Sequence, residues 1–121
     1  MQLDIKEQSL ILEGKKYSRK ELMSLSANAT GDNTSSFLLD LYRFLADWFS
    51  DSPFMTVHTS GSTGTPKVLT VRKEQMMQSA RMTCEFLNLH TGDTALLCMP
   101  LQYIAGKMMV VRALVAGLNL I

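Results

Sequence analysis

A chain of 121 residues supports one small domain with a modest core, and 46% hydrophobic with 19% charged residues is a globular composition. A formal net charge of +1 excludes the basic surface that nucleic acid or an anionic membrane demands. Asp4, Lys6 and Glu7 interrupt the opening residues, so no signal peptide is read there, and no apolar run approaches the length of a membrane span. Cys84 and Cys98 lack metal-ligand spacing and are expected as free thiols in a reducing cytoplasm.

Leu3 to Ile5 and Leu10 to Leu12 read as short strands, with a turn at Glu13-Gly14-Lys15 after the second. Ser18 and Glu21 have capping-box spacing and predict a helix over about 19–26. A polar loop, 27–33, follows. Thr34 or Ser35 then caps a helix over roughly 35–50, whose Phe37, Leu38, Leu41, Phe44, Leu45, Trp48 and Phe49 share one face. Such a stripe is a core face rather than a cofactor site. Asp51-Ser52-Pro53 closes this leader segment, residues 1–53.

Phe54 to His58 and Val68 to Val71 have strand patterns, and between them lies Thr59-Ser60-Gly61-Ser62-Thr63-Gly64-Thr65-Pro66-Lys67. Gly61 and Gly64 permit positive φ and close backbone approach, so successive N–H groups can converge on an anion. The hydroxyls of Thr59, Ser60, Ser62 and Thr63 add donors, and Lys67 brings a point charge suited to phosphate. The stretch therefore reads as a cradle for a polyphosphate. It is not the common P-loop, which needs Gly-Lys-Ser/Thr opening a helix. Pro66 disfavours helix here, and Val68 offers no hydroxyl for magnesium. The loop is thus expected to join two strands, paired antiparallel.

Lys73 to Leu89 is the next predicted helix, with Met76, Met77, Ala80, Cys84 and Leu87 on its buried side. His90-Thr91-Gly92-Asp93 is a turn, and His58 and His90 are read without direct chemistry. Thr94 to Met99 reads as a buried strand, which makes Cys98 a small core residue. Pro100 to Gly106 leads into a helix over about 104–116 that stops at Gly117, with a strand beginning after it. Helices alternating with apolar strands predict a layered α/β arrangement.

The run from Thr59 to Lys67 resembles the signature of the adenylate-forming family: Thr/Ser-Ser-Gly-Thr/Ser-Thr-Gly, one variable residue, then Pro-Lys. The resemblance extends through Gly92-Asp93, Pro100-Leu101 and Gly106, covering roughly 54–121 well and the leader poorly. It implies that 54–121 is the start of an AMP-binding domain within the layered α/β N-terminal domain of such enzymes, and that the chain is a piece of a longer one. It further implies an AMP-forming acid–thiol ligase: ATP and a carboxylic acid give an acyl-adenylate and pyrophosphate, and coenzyme A then displaces AMP. Thr59, Ser60, Gly61, Ser62, Thr63, Gly64 and Lys67 would bind the ATP phosphates, bridged by Mg2+. No catalytic or metal-binding residue is carried over to this chain.

Many acyl-CoA synthetases have Pro-Leu-Phe-His ahead of a glycine, whereas this chain has Pro100-Leu101-Gln102-Tyr103 before Gly106. Tyr103 and Gly106 are the expected wall of the acyl site, and Tyr103 brings a hydrogen-bonding tip without positive charge. The short leader resembles the compact o-succinylbenzoate-CoA ligases of menaquinone biosynthesis. An amino-acid adenylation domain or another acyl-CoA synthetase is the alternative within the family. Outside it stand a nucleotide- or phosphate-binding module without ligase chemistry and a structural α/β domain with a solvated loop.

Overall fold

Local sequence signals decide most element ends in this chain. The structure is a computed structural model and describes residues 1–31, 35–59 and 67–121. Strand β1, Ser9–Leu12, turns back into β2, Lys15–Ser18, through Glu13 and Gly14, both at positive φ. That two-residue connection matches the twist of an antiparallel hairpin, and glycine takes its second position without steric cost. Ser18 caps α1, Arg19–Asn28: its hydroxyl accepts from the Glu21 N–H, and the Glu21 carboxylate accepts from the Ser18 N–H. Ser35 is the cap of α2, Ser36–Trp48, its hydroxyl accepting from the Leu38 N–H. Thr34, the alternative cap, lies outside the described residues.

Helix α2 puts Leu41, Phe44, Leu45 and Trp48 into the core, with Phe49 just beyond it. Phe37 departs from that face and is exposed, because it sits in the first turn where few elements cover it. The Trp48 Nε1–H donates to Gln8 Oε1 at 2.8 Å, and Gln8 Nε2 donates to the Gln2 carbonyl at 3.0 Å. Gln8 is buried, so this pair satisfies two polar groups that water cannot reach and ties α2 to the N-terminal segment.

Strands β3, Phe54–His58, and β4, Val68–Arg72, form a two-stranded antiparallel sheet, as the sequence predicted. Helix α3, Lys73–Phe86, follows β4 directly and packs on α4, Ile104–Ala116. The larger sheet has the order β2-β1-β6-β5, where β5 is Thr94–Ala95 and β6 is Asn119–Leu120. Strand β6 runs parallel to both β1 and β5, and β1 antiparallel to β2. Gly117 ends α4 in the left-handed region at φ 72°, its N–H donating to the Ala113 carbonyl. The result is a mixed α/β fold.

Other expectations need correction, and one strand was not expected. Leu3 to Ile5 is no strand; a short 3-10 turn spans Ile5–Glu7, capped by the Asp4 side chain on the Lys6 N–H. Strand β2 carries Lys15, Lys16 and only one aromatic, so its alternation was too polar to read. The run Thr94 to Met99 is a strand only over Thr94–Ala95, and beyond it Leu97 is buried while Leu96, Cys98 and Met99 are exposed. Cys98 is therefore a surface thiol and not a core residue. Leu87 lies past the last turn of α3, where helical periodicity no longer applies, and it too is exposed.

Candidate phosphate and acyl site

The hairpin β3–β4 is built by its alternation. Met55 and Val57 are buried, whereas Phe54 and Thr56 face outward with Val68, Thr70 and Arg72 across the ladder. At the open end the Arg72 guanidinium lies 5.6 Å from the centre of the Phe54 ring, its direct partner in register. At the loop end the Thr59 N–H donates to the Lys67 carbonyl at 3.0 Å, extending the ladder one step past His58 and Val68. Thr59 is half-buried and Lys67 exposed, so the two described residues of the glycine stretch meet at the mouth of the hairpin. Ser60, Gly61, Ser62, Thr63 and Gly64 lie outside the described residues. Lys67 precedes a strand and no helix, which is the arrangement expected from Pro66.

The hairpin is anchored at its other end by a buried lysine that sequence reasoning missed. Lys73 opens α3; its N–H donates to the Pro53 carbonyl at 2.9 Å, and its Nζ donates to the Ser50 carbonyl at 3.1 Å and the Ser50 hydroxyl at 3.3 Å. Burial pushes its pKa down, against the opposing pull of Asp47 and Asp51. Both strands thus leave from segments clamped to the end of α2. Heptad-like spacing alone could not distinguish Lys73 from an exposed first-turn lysine.

The predicted acyl wall is a tight turn ahead of α4. The Tyr103 N–H donates to the Pro100 carbonyl at 3.3 Å, and Tyr103 is half-buried at the helix N-cap. Gly106 is buried, and a Cβ there would lie against the Pro100 carbonyl group, 2.7 Å from its carbon and 2.9 Å from the Met99 oxygen. Gly106 is thus the point where helix and turn touch backbone to backbone. Lys107, also missed from the sequence, sends its Nζ back to the Leu101 carbonyl at 2.6 Å. Burial lowers its pKa, with Asp47 and Asp40 of α2 opposing that shift.

These elements meet around an open cleft of about 310 Å³, lined on one side by Thr56 and His58 of β3, on another by Leu101, Gln102 and Lys107. Asp40, Arg43, Phe44 and Asp47 of α2 close it. His58 is the residue before Thr59, so the cleft adjoins the start of the glycine stretch. The structure does not place Tyr103 in the lining of this cleft. Among the described residues no group of three His, Cys, Asp or Glu side chains is arranged to hold a metal ion. Nor, among them, is any helix long and apolar enough to cross a membrane.

The fold is a mixed α/β arrangement in which a Gly/Ser/Thr-rich stretch ending in Pro-Lys connects two paired strands. The sequence pattern of the AMP-binding enzyme family matches residues 3–121, and the chain belongs to that family. Among solved structures it is similar to an acyl-CoA synthetase (AMP-forming)/AMP-acid ligase II-like protein from Dyadobacter fermentans DSM 18053, with 36% identity and a TM-score of 0.68. That match covers 81% of this chain and spans 28% of the length of the other. No curated protein matches the chain.

Proposed function

We propose that this chain supplies the ATP-phosphate loop and part of the acyl-binding wall of an AMP-forming acid–thiol ligase. The observation that carries the reading is the closure of β3 and β4 at Thr59 and Lys67, which holds the two ends of a Ser/Thr/Gly loop together in a chain of the AMP-binding family.

The chemistry follows from what a carboxylate lacks. It is a poor electrophile until one oxygen becomes a good leaving group, and transfer of an adenylyl group from ATP provides that. Pyrophosphate departs as the carboxylate oxygen attacks the α-phosphorus, so negative charge grows on the β- and γ-phosphates. Backbone N–H groups of Gly61 to Gly64, the hydroxyls of Thr59, Ser60, Ser62 and Thr63, and the Lys67 ammonium would stabilise that charge. Mg2+ enters with ATP as part of the substrate. Coenzyme A then attacks the acyl carbon and AMP leaves, a step that involves no pyrophosphate. The adenine, ribose, metal and C-terminal lysine contacts of such a ligase are not assigned to this chain.

The specific acid we propose, on the family resemblance alone, is o-succinylbenzoate in menaquinone biosynthesis, while Tyr103 in place of the histidine of many acyl-CoA synthetases leaves the acid to be decided by assay. The test is a pair of assays on Lys67→Ala in the whole protein, one fed ATP and acid, the other synthetic acyl-adenylate and coenzyme A. Lys67→Ala lowers the adenylation rate by up to roughly 10²–10³ while thiol transfer stays near wild type. Equal losses in both half-reactions would mean that Lys67 acts through folding, and the phosphate assignment falls. Turnover with o-succinylbenzoate no better than with benzoate or hexanoate removes the specific acid and leaves the ligase reading standing.

A further inference from the structure

Lys107 occupies a place that helix stability does not explain. It lies in the first turn of α4, where the helix dipole disfavours a cation, and its neighbours Gly106, Met108 and Val110 are buried. A solvated lysine would turn outward. Instead the side chain runs back along the helix and its Nζ donates to the carbonyl of Leu101 at 2.6 Å, a charge-assisted bond. Asp40 and Asp47 of α2 stabilise the ammonium there, and burial acts against it.

The bond has a geometric consequence. The turn from Pro100 to Tyr103 is held at Pro100 by the Tyr103 N–H and by the close approach of Gly106, and at Leu101 by Lys107. The Leu101 side chain is buried, which fixes the same residue from its other side. Gln102 faces solvent and lines the cleft opposite Thr56 and His58. The ammonium thus sets the distance between the turn and the end of β3 just ahead of Thr59.

We propose that Lys107 is a positioning residue of the acyl site: by pinning the Leu101 carbonyl it holds the Gln102–Tyr103 segment against β3 and so governs affinity for the carboxylic acid. This rests on the ligase reading above. The ligand we take as affected is the acid, because Lys107 holds the turn that leads into Tyr103, the expected acyl-site residue.

The experiment uses the full-length ligase in acid-dependent ATP–pyrophosphate exchange, with o-succinylbenzoate, benzoate and hexanoate as acids. Lys107→Met raises KM for the best acid by roughly tenfold or more, the worth of one hydrogen bond to a charged group, with KM for ATP unchanged. Lys107→Arg retains a cationic donor and recovers most of that loss. An acid KM within about twofold of wild type in the Met variant overturns the proposal, as does an equal rise in both KM values. Should Lys107→Met fail to fold, Lys107→Gln supplies the same comparison, and an unchanged acid KM in it is equally fatal. Wild-type protein that exchanges with none of the acids defeats the ligase reading itself, an outcome distinct from an active enzyme indifferent to Lys107.

Discussion

Replacing Gly106 by alanine tests whether the turn before α4 is seated backbone to backbone. The added Cβ would stand 2.7 Å from the Pro100 carbonyl carbon and 2.9 Å from the Met99 oxygen, against an ordinary carbon contact of about 3.5–4.0 Å. Turn and helix must therefore separate by about 1 Å. The obstacle is backbone, which has no alternative rotamer, and Leu101 and Lys107 pin it from two other directions. Overpacking of this kind costs roughly 1–3 kcal/mol. Alanine in place of a helical glycine returns about 0.5–1 kcal/mol, less so this near the helix start. The net expectation is a destabilisation of about 1–2 kcal/mol, read by equilibrium urea unfolding with an unchanged m-value. Because the turn moves, acid turnover falls more than stability alone accounts for, by up to about 10²-fold for a 1 Å displacement. A Gly106→Ala protein as stable as wild type, or more stable, would show that Gly106 is merely a weak helix residue and that the close approach is not maintained.

Two further outcomes follow from buried polar groups. Gln8→Ala removes the acceptor of the Trp48 indole N–H and costs about 1–3 kcal/mol, and the same change in a Trp48→Phe background costs less, because no orphan donor remains; equal costs in both backgrounds would refute the pairing. Burial lowers the pKa of Lys73 below its ordinary 10.5, so the unfolded chain binds more protons than the folded one between those two values. Stability contributed by this residue is accordingly flat below the folded pKa and rises with pH through that window up to 10.5. Lys73→Met, compared with wild type by urea unfolding across alkaline pH, shows a shallower rise; an identical slope contradicts the buried, desolvated ammonium.

Local chemistry alone determined much of this molecule. The capping box at Ser18 and Glu21, the stop at Gly117 and the strand–loop–strand order around Pro66 each depend on interactions within a few residues, which the sequence states directly. The proposal of an anion cradle at the glycine stretch rests on the same kind of local signal, since such a cradle needs its donors consecutive in the chain, but Ser60 to Gly64 lie outside the described residues. Phe44, Leu45 and Trp48 were legible as core because a helix repeats every few residues and needs only one covering surface.

Tertiary structure decided whatever depended on the second partner. Leu96 to Met99 is apolar throughout, yet strand pairing ends at Ala95 and only Leu97 is covered, because pairing and burial are set by what lies across the run and not by its own residues. Glu13 and Gly14 announced a turn, but β2 exists only because Lys15 to Ser18 find partners on β1, polar side chains notwithstanding. Lys73 and Lys107 carry the same side chain as any surface lysine. What makes one a clamp on Ser50 and the other a brace on Leu101 is a carbonyl oxygen brought within hydrogen-bond reach by packing, together with the loss of water that leaves the ammonium no better acceptor.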